Sequence, residues 1–476
     1  MTRFVQAGRA AGSRTRGAAL AIICAAQTMF VLDAMVVTVA LPRIQTGLGF
    51  SGPGLEWVVN AYALVFGGLL LLGSRCGDVF GRRRIFVLGL GLFTVASLAG
   101  GLAQSPWQLV AARALQAAGA AAASPATLSL LATTFPEGAG RGRAISIYTA
   151  LGTAGGGIGL LAGGLITSVA SWRWIMLVNV PFGIAIVALA SRLLAEPARK
   201  PGRFDLPGAV TGTLGMTLLV FGLTRAAADS SGTVHWADPS VLPALGGGAL
   251  LLGVFVLVEW RSRRPLLPLR LLAGRAKLGN YAAIVLFSMA MEGIAFFLTL
   301  FVQRSWHYST MHTALIFLPM TALLVICSRA SGPLLRRFGT RPVILGGLAL
   351  AAAGVAWMSL MDSSGGYLTD LLVPSSLCYA GFGVAAPPMT VEALASVGER
   401  DAGIASGVYS CARQLGGAVG LALLGSITWS AVATHQLEVD PLSTGIRYGF
   451  LSAAALVVLA VAATVVGTLR RPAPST

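Results

Sequence analysis

Apolar runs about as long as a bilayer is thick recur along the chain from residue 17 to residue 469, and only short polar stretches separate them. A helix needs about 20 mostly apolar residues to cross the hydrocarbon core of a membrane. The pattern therefore predicts an all-α membrane protein without a separate soluble domain. The fourteen predicted spans are 17–41, 55–74, 84–103, 107–133, 143–168, 172–193, 206–225, 240–259, 279–302, 312–331, 342–361, 368–393, 402–432 and 446–469.

The loops that follow the second and the tenth predicted spans resemble each other. Phe80-Gly81 and Phe338-Gly339 are each followed by basic residues, and the two pairs are 258 residues apart. Each half also carries one intramembrane acid at a similar distance before its loop. Such an internal repeat predicts two six-helix bundles with two spans inserted between them. The expected parts are an N-terminal segment, 1–16, a first bundle, 17–193, an inserted two-helix region, 194–278, a second bundle, 279–470, and a tail, 471–476.

The charge distribution gives the expected orientation of these spans. The chain is 55% hydrophobic and only 11% charged, whereas a globular domain is about 25% charged. Its net charge of +17 would suggest nucleic acid in a soluble protein, but these basic residues lie in short loops between apolar runs. On the predicted map, 26 of the 34 Lys and Arg residues fall on one side of the membrane and five on the other. This bias predicts cytoplasmic termini and an even number of spans, and it excludes a nucleic-acid partner.

The N-terminal segment, the cysteines and the histidines indicate neither a cleaved signal peptide nor a metal site. The basic segment 1–16 precedes an apolar run that continues to Leu41 without a cleavage site, so we interpret it as the start of an uncleaved first span. The five cysteines form no CxxC pair, and the four histidines fall in or at the edge of predicted outer loops without an HExxH motif. We therefore expect no metal site and no enzyme.

Two acids and one arginine inside predicted spans are candidate coupling residues. Asp33 and Glu292 each lie in an apolar helix, where a charged side chain costs roughly 2.5–3.5 kcal/mol on insertion scales. Such an acid either exchanges protons or forms a hydrogen bond that packs two helices together. Arg113 keeps its charge, so it either tunes a proton-bearing carboxylate or forms an ion pair that holds two helices together.

The loop after the second span is a candidate gating element. Gly77 and Gly81 permit tight turns, and Asp78 could cap a helix N-terminus or pair with an arginine in one conformation only. Its basic residues, Arg82 and Arg83 among them, could instead serve only to fix topology.

A stripe of glycines in the fifth predicted span forms a second candidate motif. Its members are Gly155, Gly159, Gly163 and Gly164. Small residues at this spacing let two helices pack closely. A more specific hypothesis is that this close contact forms a seam between the two halves that moves during transport.

Five stretches resemble motifs of one transporter family. Residues 32–42 resemble the pattern LDxTvvNvALP, and residues 74–83 resemble GxLxDRxGRR. Residues 113–120 resemble RxxQGxGA, residues 155–164 the antiporter pattern GxxxGPxxGG, and residues 172–183 WRWxFxxNxPxG. In this order and context, they make the chain similar to the 14-span drug:proton antiporter branch of the major facilitator superfamily. One departure is Leu160, which stands where the antiporter pattern has proline.

That resemblance implies the major facilitator fold and alternating access to a central cavity. It implies proton-driven efflux of amphipathic drug-like or antibiotic compounds, cationic ones among them, with the proton gradient as energy source and no cofactor. The expected partners are the lipid bilayer, the small-molecule substrate and protons, and the expected state is a monomer in the cytoplasmic membrane. The alternative is a proton-coupled transporter of one specific metabolite. A membrane-embedded enzyme or receptor is disfavoured, because neither a catalytic constellation nor a signalling domain is visible.

Overall fold

The computed structural model describes most of the chain, and its described residues are almost entirely helical. The described ranges are 2–135, 139–196, 205–226, 238–262, 274–362, 365–394, 402–437 and 440–468. No β-strand occurs within these ranges. The predicted all-α fold class is therefore confirmed.

Fifteen α-helices and one π-helix make up fourteen consecutive helical segments in this part of the chain. The short helix α6 continues into α7, and the π-helix Tyr367–Leu372 continues into α13. The α-helices are α1 Thr2–Leu48, α2 Gly52–Phe80, α3 Arg82–Gly101, α4 Pro106–Thr134, α5 Ala139–Val169, α6 Trp174–Leu177, α7 Asn179–Leu193, α8 Leu206–Ala226, α9 Val241–Arg261, α10 Arg275–Arg304, α11 Thr310–Phe338, α12 Thr340–Met358, α13 Val373–Leu394, α14 Ala402–Thr434 and α15 Pro441–Thr468.

These segments coincide with the predicted spans. Thirteen of them are long and apolar enough, over the described residues, to cross a bilayer. The remaining one is α5, a helix of 31 residues in which the described apolar stretch is Ile158–Val169. Several helices extend beyond the apolar core that the sequence marks, because backbone hydrogen bonding continues into polar residues at their ends. In particular, α2 runs on to Phe80 and takes up most of the loop predicted at 74–83.

The repeated Phe-Gly pairs mark equivalent breaks between helices. Gly81 separates α2 from α3 with a φ of 111°, and Gly339 separates α11 from α12 with a φ of 79°. Positive φ values of this kind are open to glycine and costly for most other residues. The sequence repeat thus corresponds to one sharp turn in each half of the chain.

The chain divides into two compact units. Unit 1 comprises Met1–Ala40 and Leu69–Phe204, and unit 2 comprises Leu41–Gly68 and Asp205–Thr476. These boundaries fall inside α1 and α2, whereas the domain boundaries expected from the sequence fall in loops. The five-part division given above therefore stays a prediction.

Corresponding helices of the repeat have corresponding neighbours within each unit. In unit 1, α3 packs against α4 and α7, and in unit 2, α12 packs against α13 and α15. Close approaches also correspond: a Cβ on Gly89 of α3 would lie 2.6 Å from the carbonyl oxygen of Gly119, and a Cβ on Gly347 of α12 would lie 2.9 Å from that of Gly381. Unit 2 also contains the inserted pair α8 and α9, which pack against each other, and α8 contacts α14.

Candidate functional site

Asp33 is the centre of a buried polar network in unit 1. Its side chain lies in the middle of α1 and the residue is only 2% exposed. Oδ2 accepts a hydrogen bond from Nη1 of Arg113 at 2.5 Å. Oδ1 accepts one from Nδ2 of Asn179 at 2.7 Å and one from Nε2 of Gln116 at 3.3 Å. Every partner of the Asp33 side chain is therefore a donor, and the network suits a carboxylate.

The network extends from α1 into three further helices. Arg113 Nη1 also donates to Oε1 of Gln116 at 2.9 Å, and Gln116 Nε2 also donates to the hydroxyl of Ser97 at 2.7 Å. The Ser97 hydroxyl in turn donates to the carbonyl oxygen of Phe93 at 2.8 Å. Arg113 and Gln116 lie on α4, Ser97 on α3, and Asn179 at the start of α7. All four of these polar side chains are buried.

The structure pairs Arg113 with Asp33. This ion pair joins α4 to α1, and the tuning of a proton-bearing carboxylate by Arg113 stays a prediction. A buried pair of this kind is costly to break from one side, because the remaining charge stays buried without compensation. The role of Asp33 as a carrier of transported protons stays a prediction.

Three members of the network were not identified from the sequence as site residues. Gln116 and Asn179 lie within the quoted motif stretches, at 113–120 and 172–183, and those motifs were the available signal. Ser97 carries no signal, since a serine in an apolar helix most often bonds to its own backbone.

The glycine stripe of α5 lies against the same part of α1. A Cβ on Gly155 would lie 3.4 Å from Val31, one on Gly159 would lie 2.9 Å from Cβ of Met35, and one on Gly163 would lie 3.0 Å from Cα of Val36. Gly164 is buried beside them, and so is Leu160, which replaces the motif proline. The stripe therefore lets α5 pack closely on the turns of α1 that carry Asp33, as the packing role predicts.

Glu292, the second predicted acid, has quite different surroundings. It lies half-buried on α10 in unit 2, and a Cβ on Gly417 of α14 would lie 2.5 Å from its Cγ. Arg413, about one turn earlier on α14, is close enough to interact electrostatically but forms no ion pair with it within 4.0 Å. No described residue donates a hydrogen bond to its carboxylate. Asp33 and Glu292 thus belong to separate units and separate environments.

A third intramembrane acid, Glu56, was missed in the sequence. It lies in the first turns of α2, in unit 2, and is fully buried. Its Oε1 accepts one hydrogen bond, from Nε1 of Trp429 on α14 at 2.9 Å, while its Oε2 has no partner among the described residues. The predicted span began at residue 55, and an acid at the end of a span normally reaches water. Only the packing of α14 over α2 reveals that this one does not.

The loop around Gly81 is held by two sets of polar contacts in unit 1. Asp78 accepts hydrogen bonds from Nε and Nη2 of Arg82, at 3.2 and 2.9 Å, so it pairs with an arginine as one of its two predicted roles requires. Glu196 performs the other role, since its carboxylate oxygens accept hydrogen bonds from the backbone N–H groups of Arg83 at 3.1 Å and Arg84 at 3.2 Å. Glu196 therefore caps the N-terminus of α3.

Gly77 and Arg83 of this loop have different surroundings from those expected from the sequence. Gly77 lies inside α2 and makes only ordinary contacts, so the tight turn is formed by Gly81 alone. The guanidinium of Arg83 also donates to the carbonyl oxygen of Ser191 near the end of α7. The basic residues of the loop therefore have structural contacts in addition to any role in topology.

Fourteen helical segments, thirteen of them long and apolar enough over the described residues to cross a bilayer, define a multi-pass membrane protein with charged side chains buried among its helices. The family model described as Major Facilitator Superfamily matches residues 23–421, and the chain belongs to that superfamily. The predicted family and fold are thereby confirmed, and membership makes the protein a transporter rather than an enzyme.

The chain is similar to known transporters over nearly its whole length. It is 41% identical to Cephamycin export protein CmcT of Amycolatopsis lactamdurans, over 90% of this chain and 89% of that protein. It is 40% identical to Puromycin resistance protein pur8 of Streptomyces alboniger, over 92% of this chain and 88% of that protein. Among solved structures, a bacterial homologue of the human lysosomal transporter Spinster superposes with a TM-score of 0.69, 17% identity, and coverage of 96% and 98%. That similarity supports the fold alone.

Proposed function

We propose that this protein exports antibiotics or related amphipathic, drug-like compounds across the cytoplasmic membrane in exchange for protons. The observation that carries the proposal is the similarity, at about 40% identity over nearly the full chain, to a cephamycin export protein and a puromycin resistance protein. The same proposal includes cytoplasmic termini, which the positive charge bias favours, and a monomeric transporter.

The polar network around Asp33 supports the proton-driven part of the proposal. Arg113, Gln116 and Asn179 all present donors to the carboxylate. A protonated Asp33 would face these donors with one of its own, so proton binding requires the contacts between α1, α4 and α7 to rearrange. A proton taken up from one side of the membrane would therefore change helix packing, and alternating access needs such a coupling.

The test is transport by purified protein in proteoliposomes. Accumulation of puromycin and of the cationic dye ethidium is measured with an imposed pH gradient and again after an ionophore collapses it. Asp33→Asn is the coupling variant, and Thr94→Val is its matched control, because the buried hydroxyl of Thr94 on α3 bonds to the carbonyl oxygen of Leu90 and lies outside the network. We expect gradient-dependent accumulation in the wild type and the control, and its loss in Asp33→Asn.

The other outcomes contradict particular parts of the proposal. Accumulation that persists in full after the gradient collapses would exclude proton drive. Wild-type accumulation by Asp33→Asn would remove Asp33 from the coupling. Folded protein that moves neither antibiotics nor dyes, but moves one metabolite with a gradient, would support the alternative of a metabolite transporter.

A further inference from the structure

Glu56 and Asp33 are both buried acids, and their surroundings impose opposite requirements. Asp33 is surrounded by an arginine and two amide donors. Glu56 is fully buried with a single donor, the indole N–H of Trp429, and its second oxygen is unpartnered in the described residues. No ion pair to Glu56 occurs in the described part of the chain.

An ionised Glu56 would be poorly accommodated in this setting. A buried charge needs a counter-charge or a full set of hydrogen bonds, and a lone indole N–H provides neither. A neutral carboxylic acid needs far less: Oε1 accepts from Trp429, and only one O–H requires an acceptor. The site therefore suits Glu56 with its proton attached.

A second unpartnered group lies one turn further along α2. Asn60 is fully buried, and both its amide nitrogen and its amide oxygen are without a partner in the described residues. Residues four apart lie on the same face of a helix. Glu56 and Asn60 therefore lie on one face of α2 without a direct bond between them, and the amide oxygen of Asn60 offers an acceptor that the O–H of Glu56 could reach through a water molecule.

The face of α14 opposite Glu56 is shaped to cover the acid. Gly425 leaves the space that the carboxyl group occupies, and any Cβ there would overlap it. One turn later, the ring of Trp429 lies over the start of α2 at Gly52 and packs edge-on against Phe297 of α10, with ring centroids 6.2 Å apart. In this structure, α14 thus covers Glu56 and separates it from water.

No described charged group neutralises Glu56. Titratable side chains on the helices of unit 2 include Glu292 on α10 and Arg225 on α8, and His435 follows the last residue of α14. His435 bonds to the carbonyl oxygen of Ala431, and Arg225 pairs with Asp238 at 3.2 Å. None of the three forms a described bond with Glu56.

We propose that Glu56 is an exchangeable proton site of this transporter, sealed in its protonated form by Gly425 and Trp429 of α14. When α14 separates from α2, the O–H of Glu56 transfers its proton to water and leaves a hydrated carboxylate. Before the contact closes again, the carboxylate takes a proton from hydronium, which becomes water, with release and uptake on opposite sides of the membrane. The proposal rests on the proposed function. It adds a coupling acid in unit 2 to the Asp33–Arg113 ion pair of unit 1.

The decisive variant is Glu56→Gln, which keeps the shape and the acceptor for Trp429 but has no acidic proton. Two assays in the same proteoliposomes separate coupling from the substrate path: gradient-driven accumulation of puromycin, and counterflow of labelled against unlabelled puromycin, which needs no net proton movement. We expect the ratio of accumulation to counterflow to fall about tenfold or more in Glu56→Gln. Glu56→Asp should restore part of it. Thr428→Val, which removes a buried hydroxyl beside Trp429, is the matched control and should keep the wild-type ratio.

A third readout tests the proton directly. Puromycin binding to detergent-purified protein in weak buffer should release protons, and Glu56→Gln should release about one fewer per substrate. An unchanged ratio together with unchanged proton release would overturn the role of Glu56. So would the loss of accumulation and counterflow together in a variant that elutes as folded protein, because that result indicates a structural or substrate-binding role. Absence of gradient-driven accumulation in the wild type would instead refute the proposed function itself.

Discussion

The ion pair between Arg113 and Asp33 gives the most quantitative prediction. Replacing Arg113 with methionine keeps much of the side-chain volume but removes the positive charge. Asp33 then stays buried at 2% exposure with only the two amide donors of Gln116 and Asn179. Breaking a buried pair from one side typically costs about 3–5 kcal/mol.

The double variant decides whether that cost arises from the pair itself. With Asp33→Asn added to Arg113→Met, no uncompensated charge remains, and most of the stability should return. The coupling energy between the two positions should be about 2–3 kcal/mol, whereas independent sites add within about 0.5 kcal/mol. Arg413→Met is the matched control, because Arg413 is an exposed arginine on α14 without an ion pair in the described residues. It should change stability little.

Thermal unfolding in detergent measures these effects. Cys24 of α1 and Cys378 of α13 are free and buried, so a fluorogenic thiol reagent reports the temperature at which they become accessible. We expect the melting temperature to fall by several degrees in Arg113→Met, to recover in the double variant, and to stay near wild type in Arg413→Met. Additive effects of Asp33→Asn and Arg113→Met would refute the reasoning, since they would mean that the two side chains do not interact in the folded protein.

Three further predictions concern other parts of the molecule. Glu196→Ala removes the cap of α3 and should cost about 1 kcal/mol of stability, seen as faster proteolysis of the loop at Gly81; unchanged proteolysis would contradict the cap. Gly159→Ala should impair packing of α5 on α1 and lower the melting temperature, whereas Gly156→Ala, which points into open space, should not; equal effects would disprove the close contact. Hydrogen bonds from the hydroxyl and backbone N–H of Ser240 hold the pKa of Asp238 below its usual value. Its contribution to stability is therefore present at neutral pH and lost as the pH falls below about 4, and Asp238→Asn should abolish that part of the acid dependence measured by thermal unfolding.

The elements of the fold were predictable because each depends on local sequence. A run of about 20 apolar residues must be helical inside a bilayer, since no water is there to satisfy its backbone groups. The breaks at Gly81 and Gly339 follow from the same local logic, because few residues other than glycine adopt their positive φ values. Asp33 and Arg113 were identifiable for a related reason: a charge inside an apolar run is conspicuous.

The partners of those charges were only partly predictable. Gln116 and Asn179 stand in motif stretches that pointed to them, but nothing local indicated that both would bond to Asp33, which is 83 and 146 residues away in the chain. The choice of Glu196 over Asp78 as the cap of α3 was equally hidden. It depends on where the chain passes after α7, and the sequence of the loop itself does not contain that information.

The sequence by itself determined the number and order of the membrane helices, their repeat and the family, because these depend on hydrophobic length, glycine positions and motifs read in one dimension. Only the tertiary structure decided which acid is neutralised by a buried arginine and which is left with a single indole donor. Along the chain, Asp33 stands inside an apolar run and Glu56 at the end of one, but the burial and the pairing of both are set by the helices that pack against them. Those contacts fix the electrostatic cost of a charge and therefore the chemistry available to each acid.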